Sequence, residues 1–235
     1  MMQVRKLWRV GREDGYTMTE MIVVVMILGI VLAAVQTTLV MTNKSVGQSG
    51  QRINQTLQAK TAIDSVTKVL RTAVLPSQLN GTGSTSTAAA FIQGTKNSVQ
   101  FYANINNDAN VTGPSQVTYA VGSDGVLSET IQPPNAHAAN DYNYQYCTPS
   151  ASCVVKSRVL ARGVSTTVTM FTYYTKAGTA IPDATLTAAE LASVDSIDVV
   201  ITVKAAASQT VGSTTLTERV TLPNADSVAQ PTSSP

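Results

Sequence analysis

Histidine and cysteine are nearly absent from this chain of 235 residues: His137 stands alone, and the only cysteines are Cys147 and Cys153. A serine or cysteine nucleophile needs an activating base, and the single imidazole falls in a loop-like stretch, Asn135-Ala136-His137-Ala138-Ala139. Structural and catalytic zinc sites take three or four ligands, so this inventory argues against zinc. No Gly-x-Ser-x-Gly elbow and no phosphate-cradling glycine loop is present. Asp195 and Asp198, at a strand start, suit capping and solubility better than paired acid–base work. Nothing here points to an enzyme.

Charge is scarce as well, at 13% of residues, and aromatics reach only 5%. With 43% hydrophobic residues in patterned runs, the chain is nonetheless not of the disordered class. The formal net charge is +2, from sixteen basic and fourteen acidic residues. Arg5, Lys6, Arg9 and Arg12 set against Glu13 and Asp14 place all of that excess in residues 1–15. The remainder is neutral, so nucleic acid held through counterion release is not indicated. The length suits one globular domain and an anchor.

Proline is missing from Tyr16 to Leu75. Within that span an unbroken apolar run, Met21 to Val35, follows Tyr16-Thr17-Met18-Thr19-Glu20. Counted from Tyr16, a helix through Val35 is about 30 Å long, enough to cross a bilayer. The basic residues before it predict a cytoplasmic N-terminus. Glu20 is out of place. Buried among packed apolar helices it would need a cation, and after it the next one is Lys44. A free α-amine at residue 16 would serve, but only if the chain were cut after Gly15.

Gly15-Tyr16-Thr17-Met18-Thr19-Glu20 and the apolar run with Gly29 inside it closely resemble the N-terminal signature of type IV prepilins and type II secretion pseudopilins. The resemblance covers residues 11–36. It implies cleavage after Gly15 by a prepilin peptidase, N-methylation of Tyr16, and a salt bridge from Glu20 to the N-terminal amine of a neighbouring subunit. Many relatives carry a proline near Gln36-Thr37; this chain does not. A secretory signal peptide fits poorly, because acidic residues flank the core and no A-x-A site follows. An uncleaved anchor on an extracytoplasmic binding or adhesion protein is the main alternative.

Helical patterning continues beyond the anchor. Ile53, Leu57, Lys60, Ile63, Val66, Leu70 and Ala73, with Val69 and Val74, mark one apolar stripe, along which Lys60 lays its stem. The helix is expected over about 17–74, stopped by Pro76. Residues 80–90 read as a linker. The period then changes to two, and strands are expected around Val99–Tyr102, Val117–Val121, Val126–Ile131, 153–161, 165–175, 196–204 and 214–222, with Asp124-Gly125 as a hairpin turn.

Residues 132–152 read as a long loop holding Tyr142, Tyr144 and Tyr146, a patch for partner binding or simply half-buried loop tyrosines. Cys147 and Cys153 are a short disulfide, stabilising by roughly 2 kcal/mol in an oxidising compartment, or two free thiols; export selects the disulfide. Asp108, in an Asn-rich stretch, offers oxygen ligands of the kind calcium takes, but a plain turn is expected and no cofactor is assigned.

The expected fold is α+β: a long helix whose stripe packs on one antiparallel sheet. That is the pilin fold, as the resemblance implies. Residues 157–182 look like the head of J-type minor pseudopilins, whose last strand tends to read Leu-Arg-Asn where this chain has Leu222-Pro223-Asn224. The organisation expected is a cytoplasmic leader at 1–15, a membrane and assembly helix at 16–75, an extracytoplasmic β-rich head at 76–223 and a disordered tail at 224–235. The partners implied are the prepilin peptidase, other pilin or pseudopilin subunits, and membrane lipid before assembly. The implied location is the inner or cytoplasmic membrane, and then a cell-surface or periplasmic filament.

Overall fold

The computed structural model describes residues 15–79, 89–107, 112–136, 144–148, 150, 153, 155–182, 184–204 and 211–223. The architecture is α+β: one long N-terminal helix and antiparallel sheets. Two compact units divide at Ser49 and Gly50. Helix α1 (Met18–Leu70) supplies all of the described first unit beyond its first three residues. It passes Gln36-Thr37 unbroken, where Thr37 and Thr38 donate their hydroxyls to the carbonyls of Ala33 and Ala34.

The second unit is built on the end of α1. Its buried helix positions are Gln55, Ala59, Ala62, Ile63, Val66, Thr67 and Leu70, again at spacings of three and four. The stripe is therefore narrower and smaller-bodied than expected. Ile53 and Leu57 are 60% and 59% exposed. Leu57 and Ala59 lie two residues apart, about 200° around the helix, so they cannot share a face. Alanines bring the backbone close to the sheet, and large side chains there would hold it off. Lys60 is exposed too, and pairs with Asp64 at 2.9 Å instead of lying along the core.

The helix ends four residues before the expected 74. Val74 N–H donates to Tyr102 O, Asn104 N–H donates to Thr72 O, and Ala73 bridges Ala103. The chain thus leaves the helix by adding itself to a strand edge, then makes a short 3-10 turn at Pro76–Gln78.

The head holds two sheets rather than the single one expected. Strands β1 (Phe91–Gly94), β2 (Ser98–Ala103), β3 (Ser115–Val121), β4 (Leu127–Gln132) and β5 (Lys156–Ala161) pair in chain order. Strands β6 (Phe171–Thr175), β7 (Val194–Val203) and β8 (Thr214–Thr221) form the second sheet. All pairs are antiparallel. The sheets meet through single bonds: Met170 and Phe171 donate to Lys96 O, and Leu186 donates to Gly94 O. The strand expected over 165–175 splits for the same reason. Val164 bridges Val203 and Ser165 donates to Thr202 O, then Ser165 and Thr167 hydroxyls bond each other and bend the chain. Ladder pairing resumes only at Phe171. β1 and the short helix α2 (Ala188–Ala192), capped by Thr187 and Glu190, are further elements that the patterning did not disclose.

Val66 and Leu70 of the helix share one core with Phe101, Val117, Tyr119 and Leu127 of the first sheet and Ile197, Val199 and Ile201 of the second. Each such side chain stabilises by about 1.5–3 kcal/mol, as an upper bound. The Asp124-Gly125 turn forms as expected. Gly125 sits at φ 73°, and a Cβ there would lie 2.8 Å from the Val164 carbonyl.

One charge is built into this core. Glu129 on β4 is 1% exposed and accepts from the Tyr119 hydroxyl at 2.6 Å and from the Arg158 guanidinium. Burial, then the Glu129 contact, pushes the Tyr119 hydroxyl far above its usual range. Arg158 also reaches Ser65 Oγ on α1 at 2.8 Å, tying helix to sheet.

Candidate functional site

Gly15, Tyr16 and Thr17 precede the first turn of α1 in extended or irregular backbone. Thr17 starts the helix: its carbonyl accepts from Glu20 and Met21, and its hydroxyl accepts from Glu20 N–H at 3.3 Å. Thr17-Met18-Thr19-Glu20 is a Ser/Thr-x-x-Glu capping pattern, a signal legible in the sequence but not drawn from it. Glu20 therefore has a local role, since a carboxylate in the first turn opposes the positive end of the helix dipole. That role does not occupy its oxygens. The Glu20 side chain is exposed and has no hydrogen-bond or ion-pair partner among the described residues.

Tyr16 is exposed, and so is every apolar side chain of the run that follows, from Met21 to Val35. This helix is long and apolar enough to cross a membrane. Apolar residues on every face of a helix need a surrounding that is itself apolar, either lipid or other helices.

Residues 11–35 match the prokaryotic N-terminal methylation motif. The chain carries a type IV prepilin-like signal. A search of curated proteins found no match to the chain. The signal supports the pilin and pseudopilin family, and it points to a structural, non-enzymatic protein. Together with the apolar helix it supports membrane anchoring. It implies, in general terms, processing by a prepilin peptidase and assembly with pilins.

Other candidate residues lie elsewhere in the head. Cys147 and Cys153 are joined in a disulfide with Cα atoms 6.1 Å apart. Gln132 on β4 donates its amide to Cys147 O, pinning the loop to the sheet. Tyr146 is half-buried, donates to Pro114 O at 2.6 Å and lies with its ring 5.8 Å from that of Tyr102. Burial pushes its hydroxyl far above the ordinary value. The Tyr144 ring covers Gly113, where a Cβ would meet a ring carbon at 2.1 Å. Glycine is required there, both for that approach and for φ 91°. Tyr142, His137 and Asp108 lie outside the described residues, as does the tail from 224. Next to Asp108, the Asn107 side chain is committed to the turn: it accepts from Gly113 N–H and donates to Asn104.

Asp198 is taken up by structure. Arg219, its register partner on β8, binds both of its oxygens, and the Tyr174 hydroxyl donates to it at 3.0 Å. The Arg219 hydrogen bonds hold the Asp198 carboxyl below its ordinary range. Arg219 also lies over the Tyr174 ring, 4.1 Å from its centre.

Proposed function

We propose that this chain is a prepilin, cut after Gly15 and N-methylated on Tyr16, that serves as a minor, J-type pseudopilin-like subunit of a type IV pilus or type II secretion filament. The match of residues 11–35 to the N-terminal methylation motif carries this reading. In it, residues 1–15 are a cytoplasmic leader, 16–75 the membrane and assembly helix, 76–223 the extracytoplasmic head and 224–235 a tail. Lipid surrounds the apolar run before assembly, and the corresponding helices of other subunits replace it afterwards.

Glu20 sets the register. Its unpartnered carboxylate, carried into an apolar bundle, is neutralised by the amine of a neighbouring Tyr16 that cleavage creates. Two further observations favour packing with other helices. The apolar side chains of the first unit have no partner among the described residues, and Ile53 and Leu57 leave a second apolar strip turned away from the sheets.

Mass spectrometry of the protein extracted from membranes tests the reading. An N-terminus at methylated Tyr16 is expected, and an intact Met1 overturns the proposal. Glu20→Ala is expected to leave cleavage in place and to deplete the chain from sheared filaments. Unchanged incorporation would remove the role given to Glu20.

A further inference from the structure

Every charged residue in the five strands β1–β5 belongs to one side of the sheet. Those residues are Glu129, Lys156 and Arg158. Glu129 pairs in register with Arg158 and with Tyr119, and Lys156 pairs with Ile131, so all three lie on the core side with Val117 and Leu127. The usual arrangement puts charge on the solvent side. Here none of the strand residues on the outward side is charged.

A continuous row of polar groups crosses that side. Gln93 pairs with Gln100, Gln100 with Thr118, Thr118 with Thr130, and Thr130 with Ser157. Neighbouring strands place these groups about 4.8 Å apart, a spacing of the order of one sugar ring. Among the described residues the side chains of Gln93, Gln100 and Thr118 make no hydrogen bond to the chain. Beside the row stand Tyr102 and, leaning on it, Tyr146, whose hydroxyl is anchored on Pro114 O.

The chemistry of this face selects its partner by what it cannot satisfy. Nucleic acid or an anionic lipid surface would need lysine or arginine, and the strand residues of the outward side supply neither. A protein interface needs an apolar centre, and the centre here is glutamine and threonine. A neutral polyhydroxylated polymer meets both conditions. Its hydroxyls donate and accept, as amide and threonine groups do, and no ion has to be stripped of water. The fixed tyrosine rings offer an apolar surface for the C–H face of a sugar at little entropic cost.

We infer that the outward face of β1–β5 binds a neutral polysaccharide whose chain lies along the row from Gln93 to Ser157. This site is separate from the N-terminal segment and does not depend on filament assembly.

The full chain in lipid nanodiscs, passed over cellulose, chitin, β-mannan and polygalacturonate, tests the inference. Retention on at least one of the three neutral polymers, exceeding that on the anionic polymer by at least about tenfold, is expected. Gln100→Glu with Thr118→Glu is expected to cut that retention by about tenfold or more, and Tyr102→Ala by less. Should the double variant alter thermal unfolding, Ser157→Asp at the exposed sheet edge gives the same readout. No retention on any neutral polymer, equal retention on polygalacturonate, or retention unchanged in the folded charge variants would each overturn it. So would loss of chain-to-chain crosslinking in the double variant without polymer binding, which would make the face a contact between copies.

Discussion

Residues 21–35 and residues 55–70 belong to one helix, yet they solve opposite problems. In the first stretch the side chains are apolar on all faces and none is buried. In the second, polar residues alternate with a buried line that ends in Val66, Thr67 and Leu70. Helix propensity is similar in both, so packing distinguishes them. The head segment finds its partners inside the chain, whereas the first segment must find them outside it. The acidic residues follow the same division. Glu129, Asp198 and Glu218 each hold an arginine, while Glu20 holds none among the described residues.

Truncating one leucine in each stretch is the hardest test of that contrast. Leu70→Ala should lower head stability by about 2–5 kcal/mol, since Leu70 is fully buried. Leu28→Ala should leave it unchanged. Near-ultraviolet circular dichroism of the chain in detergent, followed through a thermal ramp, reads both. Equal losses would mean that the first stretch packs on the head, and the contrast would fail.

A second substitution sharpens the difference between the carboxylates. Arg158→Met strands Glu129 in the core with only Tyr119 as a donor. Unpairing a buried ion costs roughly 3–5 kcal/mol in general, and the exposure of Arg158 brings the expectation down to about 2–3 kcal/mol. Denaturant unfolding measures it. A neutral result would show that the arginine serves only as a surface charge.

The same physics decides how much was legible in the sequence. The apolar run, the Gly15-to-Glu20 spacing, and strands such as β7 with its Ile197, Val199, Ile201 and Val203 are long or strictly periodic, and local patterning is enough to read them. The expected stripe holds at Ile63, Val66, Leu70, Ala73 and Val74 and fails at Ile53, Leu57 and Lys60, because Ala59 and Ala62 count for little on a hydropathy pattern. Their value is smallness, which matters only once a sheet lies against them. The break at 166–170 and the division into two sheets turn on hydrogen bonds between residues some 75 positions apart, such as Met170 to Lys96. No local window contains them. The Thr17–Glu20 cap is also local, a Ser/Thr-x-x-Glu pattern just ahead of an apolar run.

Gly125→Ala tests the turn that orders the head. Strain at φ 73° and the close Val164 carbonyl together should cost about 1–3 kcal/mol, with no change in the first unit. Amide exchange should then accelerate across β3 and β4 while the helix before Ser49 keeps its wild-type pattern. Exchange that rises equally in both would again dissolve the division.

The smallest effect reads the satisfied carboxylate Asp198 by pH. Asp198 titrates below its ordinary value of 3.8 because Arg219 binds the charged form. A depressed folded value means that the unfolded chain takes up the proton first. The pair's contribution is therefore complete above about pH 4 and disappears as the pH falls through the lower, folded value. The pair is partly exposed, so Asp198→Asn should cost only about 0.5–1 kcal/mol at pH 7. The gap between wild type and variant should be smaller at pH 3 than at pH 7. Denaturant midpoints at the two pH values measure it. A gap of the same size at both would mean that Arg219 does not hold the charged form of Asp198.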